Sequence, residues 1–172
     1  MNAATVMTGQ LGQARGFLEF ATAGLDADQW RQRTAGSTIQ SIASIYAHAA
    51  LAQDYLVNTV VRERPMLYVR DEWESKTKVG IVGGMLSDAW SEAMPAADMD
   101  AFRDYHAAIA AEVDDYIGSL SDDDLDRTIT FGPRGDMPLG AFLGNVVAAH
   151  IAHHAGEVAA LTGILGGKGL PM

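Results

Sequence analysis

Apolar residues recur at intervals of three and four positions in four separate stretches of this chain, and that spacing puts them on one face of an α-helix. The stretches cover about residues 4–24, 37–63, 98–120 and 138–165. Four long amphipathic helices predict an all-α fold, a four-helix bundle. Because 172 residues suit a domain of ordinary size, we expect one domain over residues 1–172.

The segments that connect these helices are predicted to have different secondary structures. Residues 64–97 contain prolines, glycines and two tryptophans, so we expect a long excursion of short helical pieces that covers a pocket. The acidic stretch at 121–126 predicts a short helical step. Residues 128–137, with Gly132-Pro133-Arg134-Gly135 in the middle, predict a short β-hairpin before the fourth helix.

Composition excludes several classes of function. A formal charge of −10 argues against nucleic acid and anionic membranes as partners, since these binders need basic surfaces. No apolar run approaches the roughly 18 residues of a membrane span. The first twelve residues lack the basic and apolar regions of a secretory signal, so a cytoplasmic location is the default expectation. With no cysteine, the side chains best suited to a transition metal are histidine and carboxylate.

Two histidines mark the fourth helix. Stepping by three and four through its apolar stripe reaches His150, His154 and then Glu157, so the two histidines, one turn apart, are predicted to point inward. Residues four apart have Cβ atoms about 5–6 Å from each other, so both imidazoles can reach one ion. Two hydrogen-bonded core histidines are the alternative interpretation. His153 points about 100° away from His154 and is not expected to share the site.

A third histidine favours the metal hypothesis. His48 lies midway along the second helix, at the edge of its buried face. Catalytic zinc commonly has three protein ligands and a fourth position open to water or substrate. Imidazole ligands suit zinc, nickel, iron and copper, so the metal stays open.

The same residues resemble a known family. The segment Ser41 to His48 reads Ser-Ile-x-x-Ile-x-x-His, and the fourth helix reads His150-Ile-Ala-His-His154-Ala-Gly-Glu-Val before Gly163 to Pro171. Together they are similar to the DinB/YfiT-like metalloenzyme superfamily. The resemblance covers the second helix to the C-terminus, with a poor match in the excursion. It implies a four-helix bundle, often a homodimer, with a divalent metal such as zinc, nickel or iron on His48, His150 and His154.

Three further residues are candidates for supporting roles. Glu157 can accept a hydrogen bond from His154 and orient it, although a helix cap or a dimer salt bridge is an equal alternative. Asp54 follows His48 by between one and two turns and can act in the same way, but an ordinary bundle residue is the more common case. His106 on the third helix is more often structural than a proton donor.

Three functions use such a site. In the first, the ion lowers the pKa of a low-molecular-weight thiol that attacks a small-molecule substrate under the excursion. Relatives that resemble this chain include thiol-dependent S-transferases and a mycothiol-dependent isomerase, so metal-dependent thiol transfer ranks first. In the second, the ion only ties two helices together in a binding module or dimer. In the third, the ion activates water for hydrolysis, with Glu157 or His106 as proton acceptor.

Overall fold

The computed structural model describes residues 2–81, 84–85 and 87–170. Met1, three positions of the excursion, Pro171 and Met172 therefore lie outside the described residues. In chain order the α-helices are α1 (Ala3–Thr22), α2 (Ala27–Arg31), α3 (Ile42–Asp54), α4 (Leu67–Arg70), α5 (Trp73–Thr77), α6 (Asp88–Ala93), α7 (Met99–Gly118), α8 (Asp122–Asp126), α9 (Leu139–Phe142) and α10 (Ala149–Ile164). Shorter elements are π-helical stretches at Tyr55–Val61 and Leu143–Ala148, 3-10 turns at Met94–Ala96 and Gly132–Arg134, and strands β1 (Thr128–Thr130) and β2 (Asp136–Pro138).

The predicted all-α class is confirmed, and the long helices pack side by side. Helices α1 and α3 each contact both α7 and α10, so the four form a closed ring around one apolar core. The core centres on large side chains with almost no exposed surface, among them Tyr46, Leu51, Phe102 and Phe142. None of the described helices has the length and apolar character needed to cross a membrane.

The second long helix begins later than the sequence indicated. The stretch of helical spacing begins at about residue 37, but α3 begins at Ile42, and Ser41 is its N-cap residue, whose hydroxyl accepts from Ser44 N at 3.3 Å. Ser37 instead accepts from the backbone N–H of Ile39, within a turn. Serine is a favourable N-cap residue at either position, so residue type alone does not show which of the two begins the helix.

Two of the long helical segments contain a π-helical stretch, in which each turn is wider than in an α-helix. Arg62 N donates to Val57 O and Ala149 N donates to Gly144 O, so each bond spans five residues instead of four. The sequence had predicted uninterrupted α-helix through both regions. Such π-helical turns are rare and often occur at functional sites. One lies directly after the helix that carries His48, and the other directly before the helix that carries His150.

The hairpin and the acidic step are confirmed. Strands β1 and β2 pair antiparallel, with Ile129 opposite Met137. The hairpin is attached to the fourth helical segment by an edge-to-face contact between Phe131 and Phe142, whose ring centroids lie 5.2 Å apart. Helix α8 begins with a capping box between Ser121 and Asp124. The hairpin is therefore held against the same long helical segment that leads into α10.

The excursion does consist of short helical pieces, α4 to α6 with a 3-10 turn. Tyr68 is one of the buried side chains of the excursion. Its hydroxyl donates to Val79 O at 2.5 Å and also contacts Thr77 Oγ1. An open cavity of about 790 Å³ lies within the excursion, lined by its own residues. This cavity is separate from the one beside the histidines.

Candidate metal centre

Two packed helices bring the histidines together. His48 lies on α3, and His150 and His154 lie one turn apart at the start of α10, which packs directly against α3. All three side chains are half-buried at the edge of the core, so they face neither bulk solvent nor the centre of the bundle. The predicted convergence of these residues from two helices agrees with the structure.

The three Nε2 atoms face one another. Nε2 of His150 lies 3.1 Å from Nε2 of His48 and 3.2 Å from Nε2 of His154. The ligand atoms of the group all lie within 4.8 Å of each other, and this group can hold a metal ion.

Hydrogen bonding does not account for this arrangement. A ring nitrogen has either one N–H or one lone pair, so it makes one such hydrogen bond at a time. Nε2 of His150 has two imidazole nitrogens at hydrogen-bond distance, and it can pair with only one of them. Ligands bonded at about 2.0–2.1 Å to a tetrahedral ion would stand about 3.3 Å apart, close to both distances. The geometry therefore fits one shared cation.

The surroundings favour uncharged imidazoles. Burial, reinforced by the charges of His150 and His154, lowers the pKa of His48 to about 3. Burial also lowers the pKa of His150 to about 4, and the charges of His154 and His153 act in the same direction. Metal binding needs the deprotonated ring. Both side chains are therefore in the binding form at neutral pH.

Glu157 is placed where the sequence suggested. Nδ1 of His154 lies 2.5 Å from Oε2 of Glu157, one helical turn later. A carboxylate oxygen accepts, so the ring proton is on Nδ1 and the lone pair of Nε2 faces His150. Nδ1 of His48 and Nδ1 of His150 are buried and have no hydrogen-bond partner among the described residues. His154 is thus the histidine of the three whose ring orientation is fixed by a carboxylate.

The other two candidates have different partners. Asp54 is fully buried and accepts from the backbone N–H groups of Leu67 and Tyr68, from Asn58 and from the Tyr105 hydroxyl. These bonds use both carboxylate oxygens for packing the excursion and α7 against α3. They do not reach the imidazoles.

His106 belongs to a second buried cluster. Its Nδ1 lies 2.8 Å from Oε1 of Glu19 and 3.2 Å from the Tyr46 hydroxyl, which itself donates to Glu19. The cluster joins α1, α3 and α7. The structure therefore groups His106 with Glu19 and Tyr46, apart from the three histidines.

A cavity of about 290 Å³ opens beside His150. Its walls come from the two π-helical stretches, from the hairpin and from the first turn of α10. The lining residues are Ala52, Tyr55, Leu56, Phe131, Arg134, Asn145, Val146, Ala149, His150 and His153. No described residue of the excursion is among them, whereas the sequence had placed the substrate under that excursion. The hairpin takes this position because the contact between Phe131 and Phe142 holds it near the histidines.

Comparison with known proteins identifies the family. Residues 10–158 match the sequence profile of the DinB superfamily. The chain belongs to the DinB superfamily. Among curated proteins, none matches this DinB-superfamily chain.

A solved structure shares the fold. The crystal structure of the conserved protein of locus from Enterococcus faecalis superposes with a TM-score of 0.80 at 16% sequence identity. The match covers 96% of this chain and 99% of the other. At that identity the likeness establishes a shared fold alone.

Sequence reasoning missed the cavity residues. Nothing in the sequence marked Asn145 as part of a site, and Arg134 was predicted only as part of the hairpin turn. The glycines on both sides of Pro133-Arg134 signalled a tight turn but not what it faces. Its position beside the histidines depends on tertiary packing between elements.

Proposed function

We propose that this DinB-superfamily protein is a divalent-metal-dependent enzyme that activates a low-molecular-weight thiol and transfers it to a small electrophile. In this proposal Nε2 of His48, His150 and His154 bind zinc, nickel or iron. The observation that carries the proposal is the convergence of the three Nε2 atoms, with His150 also lining a cavity of about 290 Å³. A small molecule in that cavity lies next to the site.

The residues of the chain have separate tasks in this proposal. A bound divalent ion supplies Lewis acidity, which lowers the pKa of a thiol that binds to it. Glu157 holds the His154 ring with Nε2 inward. Leu56, Phe131 and Val146 give the cavity apolar walls against which the body of a small molecule can pack. The imidazole of His153, also in the lining, can accept the proton that the thiol loses.

Metal content tests the ligand assignment. We expect about one divalent ion per chain in the purified protein and a loss of bound metal in His154→Ala. His153→Ala is the matched control, because it removes the neighbouring histidine that lies outside the ligand group. Elemental analysis by mass spectrometry gives the measurement. A His154→Ala protein with full metal content would contradict the assignment.

Thiol binding tests the reaction class. In the Co²⁺-substituted protein, a thiolate bound to the ion gives a charge-transfer band in the near ultraviolet. We expect 2-mercaptoethanol to produce this band in the wild type and not in His154→Ala. A metal-loaded protein without any thiol-dependent change would argue for the alternative in which the ion only ties α3 to α10.

We also propose that residues 1–172 act as one domain and pair as a homodimer. These proposals rest on chain length and on the family resemblance. Light scattering of the purified protein measures the mass in solution. A mass near the 18.3 kDa of one chain would exclude the dimer.

A further inference from the structure

We infer that the cavity beside the three histidines selects small carboxylate-bearing molecules, and that Arg134 recognises the anionic group. This inference names the substrate class of the proposed function and rests on it for the use of the site. Three observations support it: the turn that positions Arg134, the guanidinium of Arg134 without a partner among the described residues, and the combination of apolar and polar side chains in the cavity walls.

A rigid turn presents Arg134 to the cavity. Arg134 N donates to Phe131 O at 3.0 Å, and Gly135 N donates to Gly132 O at 3.1 Å. Gly132 and Gly135 have φ angles of 48° and 70°, a region that other residues rarely adopt. Phe131 packs edge-to-face on Phe142, which fixes the turn to the helical segment that continues into α10. These contacts therefore place the backbone of Arg134 beside the cavity.

The guanidinium of Arg134 has no partner within the described ranges, since no hydrogen bond, ion pair or ring contact involves it. Most other arginines are used for structure. Those that bind carboxylates, carbonyls or side-chain amides are Arg15, Arg31, Arg62, Arg64, Arg70, Arg103 and Arg127. In a chain with a formal charge of −10, a free cation in the wall of a cavity is an unusual local charge. It suits an anion that the rest of the surface would repel.

The remaining walls define the rest of the ligand. Leu56, Phe131 and Val146 are apolar, and Tyr55 and Asn145 add a hydroxyl and an amide. A guanidinium binds a carboxylate through two parallel N–H donors, which gives direction as well as attraction. The expected ligand therefore has a short apolar or aromatic body with a carboxylate at the Arg134 end. Its other end lies near His150.

Two probes that differ only in the anionic group test this inference. We would titrate 3-phenylpropionate and 3-phenylpropan-1-ol into the zinc-loaded full-length protein by calorimetry, and repeat both titrations after chelation. We expect the carboxylate to bind about tenfold more tightly than the alcohol in both forms, a difference that corresponds to about 1.4 kcal/mol. Arg134→Gln should remove this preference and leave the alcohol unchanged. Arg134→Lys should restore part of it, since the charge returns without the planar pair of donors.

The control is Arg33→Gln, which removes an exposed arginine that is not in the cavity lining. Equal affinities for the two probes, no detectable binding of either, or a preference that survives Arg134→Gln would each overturn the inference. A preference that survives Arg134→Gln only in the zinc-loaded form would indicate that the zinc ion itself binds the carboxylate. Neither probe contains a thiol, so failure of thiol transfer leaves this test intact. Conversely, a positive cobalt–thiol spectrum with no effect of Arg134 would preserve the proposed function alone.

Discussion

The hydroxyl of Tyr105 donates to Oδ2 of Asp54 at 2.7 Å inside the core, and this bond joins α7 to the last residue of α3. Asn58, within the following π-helical stretch, donates to the other oxygen of Asp54 at 2.7 Å. Asp54 thus lies where α3 changes to the wider π-helical stretch, and it holds that stretch through Asn58 and α7 through Tyr105. The Tyr55 that lines the cavity is the next residue.

Asp54→Asn should destabilise the protein by about 3 kcal/mol, because each oxygen of Asp54 accepts one backbone N–H, from Leu67 or from Tyr68, and the asparagine NH2 group would turn donors toward one of them. Urea unfolding followed by circular dichroism gives the free energy of unfolding. Asp104→Asn, at an exposed position of α7, is the control and should change little. Equal stabilities of the two variants would refute this role of Asp54.

Glu157→Ala should weaken metal binding about 10- to 100-fold, the usual effect of losing the group that orients a ligand histidine. Glu157→Gln keeps an acceptor without the charge, so it should fall between the wild type and the alanine variant. Competition with a chromogenic chelator measures the affinities. Glu92→Gln on α6 serves as the control. Unchanged affinity in Glu157→Ala would mean that the contact with His154 has no influence on the ion.

A carboxylate shared by three arginines should make stability depend on pH. Glu112 accepts from Arg62 at 3.1 Å, from Arg70 at 2.6 Å and from Arg64. Partial burial raises the pKa of Glu112, but the bond from Arg70 and the charges of Arg64 and Arg70 outweigh this, and the net pKa is below 4.5. A lowered folded-state pKa adds stability above the unfolded value, and that stability is lost as the pH falls through the folded value.

We therefore expect the urea midpoint of the wild type to fall as the pH decreases from above 4.5, the ordinary value for Glu112, to below its folded-state pKa. Glu112→Gln should be less stable at neutral pH and show a smaller fall over this range. Midpoints at a series of pH values from 7 downward, in constant ionic strength, provide the measurement. Parallel curves for both proteins would show that other groups cause the pH dependence.

Gly16 in α1 offers a stabilising substitution. A Cβ added there would meet nothing within 4 Å, and the residue lies inside a regular helix. Gly16→Ala should raise the free energy of unfolding by about 0.5–1 kcal/mol, because alanine loses less backbone freedom on folding. Gly24, just after the helix with a φ of 78°, is the opposite case, and Gly24→Ala should destabilise. Thermal unfolding distinguishes the two. A loss of stability in Gly16→Ala would indicate an unrecognised contact.

Much of the fold could be predicted because the residue pattern of a helix repeats over only a few positions of the sequence. The spacing of apolar residues marked the long helices, and the phase of the fourth helix pointed His150 and His154 in one direction. The pair of glycines around Pro133-Arg134 indicated the hairpin turn. These features depend on residues a few positions apart, and a sequence displays them directly.

Features that depend on distant residues were not visible. Arg15 is buried in α1 and binds Asp114 at 2.9 Å and Gln53 at 3.0 Å, partners 99 and 38 positions away. An arginine between Ala14 and Gly16 gives no sign of burial. The same holds for the cavity, whose walls come from three separate parts of the chain. Nor does composition reveal a π-helical turn, because its residues are those of any amphipathic helix.

The two wide turns have a consequence for how the chain tolerates changes in length. Each holds one residue more than a regular helix would need over the same rise, and deleting that residue would restore regular geometry. Because the wide turn already accommodates the extra residue, the helical segments on its two sides would keep their orientation, whereas a deletion from a regular α-helix turns one side by about 100°. Loss of one residue from Leu143–Ala148 would thus close the wide turn directly before His150 and leave α10 packed against α3. A single-residue deletion within such a stretch should therefore disturb the bundle less than the same deletion in α1 or α7, and its main effect should be on the wall of the cavity beside the histidines.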